Sequence, residues 1–189
     1  VLCSFNWGYR SLFENWAASC HIHGIDCRRF TLIFPTDAKA DSWARTLGFQ
    51  TYYDARTFGA LPEHANKVFG DQDFRRIIFS KIAMVQDMLE IGGDYIRQDA
   101  DLVWFKDPRA ELIRRVDDGR LDLLFMYDGP NAFHQPLHHN SGFVYLRGNA
   151  FSKFTWDQVF SNYGHVLVEG GEQRMINTIV ACLRERGLR

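Results

Sequence analysis

The chain has 189 residues, 46% of them hydrophobic, with a net charge of −1. That length supports one well-buried core and not two ordinary domains, so residues 1–189 are read as one domain. Near-neutral charge with scattered basic residues excludes the electrostatic footprint of a nucleic-acid binder, and no apolar run approaches membrane-spanning length, so no membrane contact is expected of this segment.

Val1 to Phe5 reads as a strand, Tyr9 to His23 as a helix, Arg29 to Phe34 as a second strand, Ala38 to Leu47 as a second helix and Phe49 to Tyr53 as a third strand. This alternation predicts βαβ units, a parallel sheet and helices on both of its faces. The four cysteines make no paired-motif spacing and suggest no disulfide framework. Cys20-His-Ile-His23 with Cys27 offers soft metal ligands, but the run reads as a helix end with buried thiols. Asp54 to Asp73 carries Gly, Pro, Asn and charge without a period, which predicts a loop or short helical turns. Phe79 to Ile91 then puts Ile82, Val85, Met88 and Leu89 at helical spacing, and Gly92-Gly93 stops the helix.

The next strand, from Tyr95, runs into Asp99-Ala-Asp101. Two hard carboxylate ligands beyond the carboxyl end of a strand in an open α/β sheet suit Mg²⁺ or Mn²⁺ held against phosphate. Surface turns also collect aspartates, because their side chains bond nearby amides. Pro108 starts a further helix with Asp107 as its cap, and Asp117-Asp118 beside Gly119 reads as a turn. Strands follow near Leu121–Met126 and Gly142–Leu146, and helices near Phe151–Phe160 and Glu172–Arg184. Between the strands lies a stretch from Tyr127 to His139 rich in Gly, Pro, Asn and His.

The run Asp99-Ala-Asp-Leu-Val-Trp-Phe-Lys-Asp-Pro108 resembles the Asp-x-Asp-x-x-Trp-x-x-x-Pro signature of nucleotide-diphospho-sugar transferases, the glycosyltransferase family that includes the rhamnogalacturonan-II xylosyltransferases. Further blocks agree in order: Asn6-Trp-Gly-Tyr9 and Glu14-Asn15-Trp16, Asp122-Leu-Leu-Phe-Met-Tyr-Asp128, Asn140-Ser-Gly-Phe-Val-Tyr-Leu-Arg147, and Glu172-Gln173-Arg-Met-Ile-Asn177. The resemblance implies an α/β fold of the GT-A-like, Rossmann-like kind, a three-layer α/β/α sandwich with a mostly parallel central sheet. It implies a metal-dependent glycosyltransferase that moves a sugar from a nucleotide-diphosphate donor, a UDP-sugar, to a glycan or glycoprotein hydroxyl with retention.

By that resemblance Asp101 ligates Mn²⁺ or Mg²⁺, and Asp99 contacts the ribose or a metal-bound water while sharing the metal site. Asn6, Tyr9 and Lys81 join Asp99 in nucleotide binding. Lys81 acts as a point charge on the diphosphate, with Arg75 and Arg76 as weaker candidates; a solvated helix face is the other reading of all three. Asn140, Ser141 and Gly142 fall at the donor sugar, and Glu172 and Gln173 lie under its anomeric carbon as the catalytic pair. Glu172 stands where the family usually has Asp. His138 and His139 are candidates for acceptor hydroxyls. A Golgi lumen location follows from the resemblance if the parent chain carries a signal anchor. The chain begins within a strand and without an initiating Met, as expected of a segment of a longer protein.

Two other functions stay open at this point. Asp99-Ala-Asp-Leu-Val103 also resembles the nucleophile motif of haloacid-dehalogenase-type phosphatases, although three strand-like segments precede it. A non-catalytic nucleotide-sugar-binding domain is the third reading, supported by the Glu172 departure.

Overall fold

The computed structural model describes residues 1–58, 61–65, 68–130, 137–165 and 171–186. Strands β1 (Leu2–Phe5), β2 (Leu32–Pro35), β3 (Gln50–Thr51) and β4 (Tyr95–Gln98) pair in parallel. Between β4 and β5 (Leu123–Tyr127) runs β6 (His139–Leu146), antiparallel to both, so the sheet order is β3-β2-β1-β4-β6-β5. The expected mostly parallel sheet is therefore observed, with β6 the reversed strand among the described residues.

Helices α1 (Arg10–Ile22), α2 (Ala38–Thr46) and α5 (Arg109–Gly119) cover one face of the sheet. The short α3 (Ala55–Phe58) precedes α4 (Gln72–Ile91), which covers the other face with α6 (Ala150–Ser161) and α7 (Glu172–Glu185). Alternation along β1 explains why both faces are apolar: Leu2 joins the core under α4, α6 and α7, while Cys3 and Phe5 join the aromatic core around Phe13 and Trp16 of α1. The α6 ring of Trp156 is buried and donates its indole N–H to the Ile82 carbonyl at 2.9 Å, which fixes α6 against α4. Cys20 and Cys27 are buried free thiols, in line with the helix-end reading. No described helix is long and apolar enough to cross a membrane.

Several boundaries differ from the pattern-based expectation. α4 starts at Gln72, seven residues before Phe79, because the Asp71 carboxylate accepts from the Phe74 amide at 2.7 Å and Ile77 and Ile78 extend the buried face. β3 is only two residues long, and β2 begins at Leu32 after a 3-10 turn over Cys27–Arg29. Asp117 and Asp118 belong to the last turn of α5, not to a loop, and the left-handed Arg120 (φ 48) stops that helix. Asp107 accepts from the Arg109 amide at 3.0 Å, and Pro108 occupies the capping position itself. β6 begins at His139, so Asn140 and Ser141 are strand residues.

Candidate functional site

The loop after β4 is fixed at both ends. At its start the Asp99 amide donates to the Gly142 carbonyl at 2.8 Å, carrying the β4–β6 pairing one residue past the strand. Further on, Trp104 is buried edge-on to Trp16 at 5.7 Å and stacked on Phe30, and its amide donates to Ser19 Oγ of α1 at 3.0 Å. Asp101 lies between these anchors, exposed, and joins no hydrogen bond or ion pair among the described residues. The loop opens into a cleft of about 460 Å³ at the carboxyl end of β4. Phe5, Tyr9, Leu12, Phe74, Ile77 and Ile78 give its apolar lining. Its polar lining comes from β1, from Lys81 of α4, from the segments that follow β4 and β5, from β6 and from the start of α7.

Charge in the cleft is organised around Asp99 and Glu172. Lys81 of α4 places Nζ 2.6 Å from Asp99 Oδ1, and Arg97 of β4 places Nη2 3.3 Å from the same oxygen. Arg97 Nη2 also lies 3.0 Å from Glu172 Oε1, and its Nη1 donates to the Ser141 carbonyl. Burial would raise the Asp99 carboxyl, but Lys81 and Arg97 outweigh it and hold it below the usual carboxylate range. Burial likewise disfavours charge on Arg97, yet Asp99 and Glu172 lift its pKa above the ordinary arginine value. The neighbouring Cys3 thiol is pushed up to about 12, chiefly by burial and then by Asp99, so it stays protonated and is no nucleophile.

A second set of hydrogen bonds ties β6 to α7. The Ser141 amide donates to Gln173 Oε1 at 3.0 Å, and Gln173 Nε2 donates to Asp128 Oδ2 at 2.9 Å. Asn140 Nδ2 donates to Asp128 Oδ1 at 2.5 Å, while Asn140 Oδ1 accepts the Gly142 amide at 2.7 Å. Asn177, one turn further along α7, brackets His139 by accepting from its amide and donating to its carbonyl, both at 2.9 Å.

The structure thus brings Tyr9, Lys81, Asp99, Asp101, Asn140, Ser141, Glu172 and Gln173 to one cleft. Asn6 is fully buried, and its amide donates to the carbonyls of Pro62 and His64, both at 2.8 Å. It holds the 61–65 segment against the end of β1, where a Cβ on Gly8 would collide with the Ala65 amide nitrogen. Gly142 is outside the cleft lining, and its bare Cα leaves room for carboxylate and amide: an added Cβ would stand 2.9 Å from Asn140 Oδ1 and 3.1 Å from Asp99 Oδ2. Arg75 and Arg76 do not line the cleft, and Arg76 lies 3.9 Å from Asp73. The His139 ring stacks flat on Phe125 at 4.6 Å, and His138 has a left-handed backbone (φ 47) beside Tyr127. Residues 131–136, within the Tyr127–His139 stretch, lie outside the described residues.

Two participants are absent from the residue-by-residue reading. Arg97 had a signal, a lone cation in a strand that must be buried on both faces. Asp128 closes the quoted strand block, and the tertiary structure brings Asn140 of β6 and Gln173 of α7 to its carboxylate.

The donor chemistry fits a divalent cation. Asp101 is unengaged, and Asp99 Oδ2 carries no hydrogen bond among the described residues. Two hard oxygens with open positions suit Mg²⁺ or Mn²⁺, which keep waters and take phosphate oxygens. Among the described residues no group of three or more His, Cys, Asp and Glu forms a complete protein site. Among the described residues, four carboxylates, Asp99, Asp101, Asp128 and Glu172, meet two cations, Lys81 and the underlying Arg97, an excess of negative charge.

Comparison with known proteins bears on the family and the fold. Residues 27–183 match the model of a family described as nucleotide-diphospho-sugar transferase. A UDP-galactose:fucoside alpha-3-galactosyltransferase from Dictyostelium discoideum is 28% identical over 147 residues, 72% of this chain and 20% of that protein. The chain therefore spans about a fifth of the length of that curated relative. Among solved structures, the galactosyltransferase LgtC in complex with donor and acceptor sugar analogues superposes with a TM-score of 0.58 at 11% identity, over 94% of this chain and 69% of that one. Mouse xyloside xylosyltransferase 1 in its apo form gives 0.53 at 13% identity, over 99% and 82%. At such identities the likeness is one of fold.

Proposed function

This chain belongs to the nucleotide-diphospho-sugar transferase family and has its GT-A-type α/β fold, and from that premise we propose that it transfers a sugar from a UDP-sugar to a hydroxyl of a glycan or glycoprotein acceptor. The observation that carries the reading is Asp101: an exposed carboxylate without a partner among the described residues, opening on the same cleft as Asp99, Asp128 and Glu172. Asp101 and Asp99 Oδ2 are the groups that would hold Mn²⁺ or Mg²⁺. When bound, the cation supplies Lewis-acid stabilisation of the leaving diphosphate.

The chain's own residues do the positioning. Tyr9, Leu12, Phe74 and Ile77 offer an apolar bed for the base, and Lys81 adds positive charge beside Asp99 where the diphosphate would lie. Gln173, held by the Ser141 amide and by Asp128, presents fixed dipoles to the sugar end of the cleft. Retention of anomeric configuration follows from the family resemblance. The phosphatase reading is not favoured, since Asp99 follows the fourth strand in sequence and its Oδ1 is already held by Lys81 and Arg97.

Calorimetry with UDP in the presence of Mn²⁺ or of chelator tests this reading, followed by incubation with a panel of nucleotide sugars. UDP should bind more tightly with Mn²⁺, Asp101→Asn should remove the difference, and one donor should release UDP faster when acceptor is added. Equal UDP affinity with Mn²⁺ and with chelator, or phosphate trapped on Asp99, would overturn it.

A further inference from the structure

A fully buried guanidinium is costly to keep unless each of its charges and donors is matched. Arg97 is 1% exposed, and the groups it meets come from three separate elements: Asp99 at the exit of β4, the Ser141 carbonyl on β6, and Glu172 at the start of α7. Its Nε has no hydrogen-bond partner among the described residues, so the contacts of the other two nitrogens carry the match. Glu172 is buried in turn, at 5% exposed, and its Oε1 takes both Arg97 and the Ser141 hydroxyl, the latter 3.2 Å away. The two acids are 73 positions apart in sequence and meet at one nitrogen, Arg97 Nη2.

Resting on the transferase reading of the cleft, we infer that Arg97 is a positioning residue: it sets the spacing between the metal-facing Asp99 and the α7 pair Glu172-Gln173, and Glu172 is its counter-charge, not a group that touches the sugar. Asp99 is pinned at Oδ1 by Lys81 and Arg97 together, which leaves Oδ2 directed over Gly142, the oxygen available to a cation. Glu172 is pinned by the same guanidinium, and Gln173, the adjacent residue of α7, thereby keeps its amide on Ser141 and Asp128. A planar fork is required for this arrangement, since an ammonium at the end of a flexible stem is a point charge without the fixed fork geometry.

The test compares Arg97→Met with the double substitution Arg97→Met/Glu172→Gln. The single change strands a buried carboxylate and should unfold or strongly destabilise the protein. The double change removes one positive and one negative charge of similar volume, so the cleft keeps its net charge and the fold should recover most of the lost melting temperature. With charge balanced, a change in Mn²⁺ affinity reports geometry: calorimetric titration with Mn²⁺ alone should show a loss of about tenfold in the double variant, the size typical when a metal ligand loses its outer support. If a donor is turned over, kcat should fall by a similar factor while KM for the nucleotide sugar moves less than about threefold. Mn²⁺ affinity within about twofold of wild type in a well-folded double variant would overturn the inference, since outer-support effects are larger than that. A wild-type protein that binds Mn²⁺ but turns over no donor sinks the transferase reading alone, and the loss of Mn²⁺ affinity then still supports Arg97. A wild-type protein that binds no Mn²⁺ sinks both.

Discussion

At the scale of single residues, position 172 shows how reach decides a role. A glutamate spans from the start of α7 to Arg97 Nη2 at 3.0 Å, and that contact is buried on both sides. Shortening the side chain by one methylene withdraws the carboxylate by more than ~1 Å, and the charged hydrogen bond opens. Glu172→Asp should therefore lower stability by about 1.5–3 kcal/mol, read as a fall of about 3–12 °C in Tm for a chain of this size. From sequence alone the same substitution would be expected to preserve or raise activity by restoring the family's usual residue. The structure adds a cost in stability to that expectation, because the extra methylene is what reaches the guanidinium. A Tm equal to wild type for Glu172→Asp would show that the pair contributes nothing to the fold.

At the scale of elements, the site is made where β4 and β6 run side by side in opposite directions. Antiparallel pairing puts Gln98 opposite Phe143, and one step beyond the strand the Asp99 amide bonds the Gly142 carbonyl. A glycine is needed there for space: the Asp99 carboxylate and the Asn140 amide both occupy the volume of its missing side chain. Gly142→Ala should leave the sheet formed but push Asp99 aside. Calorimetric titration with Mn²⁺ should then show about tenfold weaker binding, while far-UV circular dichroism stays at the wild-type value. Unchanged Mn²⁺ affinity would mean that Asp99 Oδ2 is not facing the cation. Helix α7 completes the same junction through Asn177, whose amide bridges the His139 backbone and the Gln173 carbonyl.

At the scale of the whole molecule, folding stability is linked to pH through His139. Burial, with a smaller effect of Arg184, lowers its pKa below the usual histidine value, and its Nδ1 is buried with no hydrogen-bond partner among the described residues. The unfolded chain then binds a proton that the folded chain resists, so stability is full above the unfolded pKa of about 6.5 and is lost as pH falls below it toward the folded value. His139→Phe keeps a ring to stack on Phe125 and removes the titration, so its Tm should fall less than that of wild type between about pH 7 and pH 5.5. Parallel Tm profiles for the two proteins would rule His139 out as the source. The division between what was legible and what was not follows from the range of the interactions. Strand and helix alternation, the end of α4 at Gly92, and the family motif from Asp99 to Pro108 are local patterns, and they determined the α/β class, the parallel half of the sheet and the place of the carboxylates at a strand exit. Partners far apart in the chain were decided only by tertiary packing: Arg97 with Glu172, Gln173 with Asp128, and Asn6 with the carbonyls of Pro62 and His64. Periodicity reports which face of an element is buried, whereas a buried polar group bonds whatever the other elements bring within about 3 Å, and that depends on how the sheet and helices close around it.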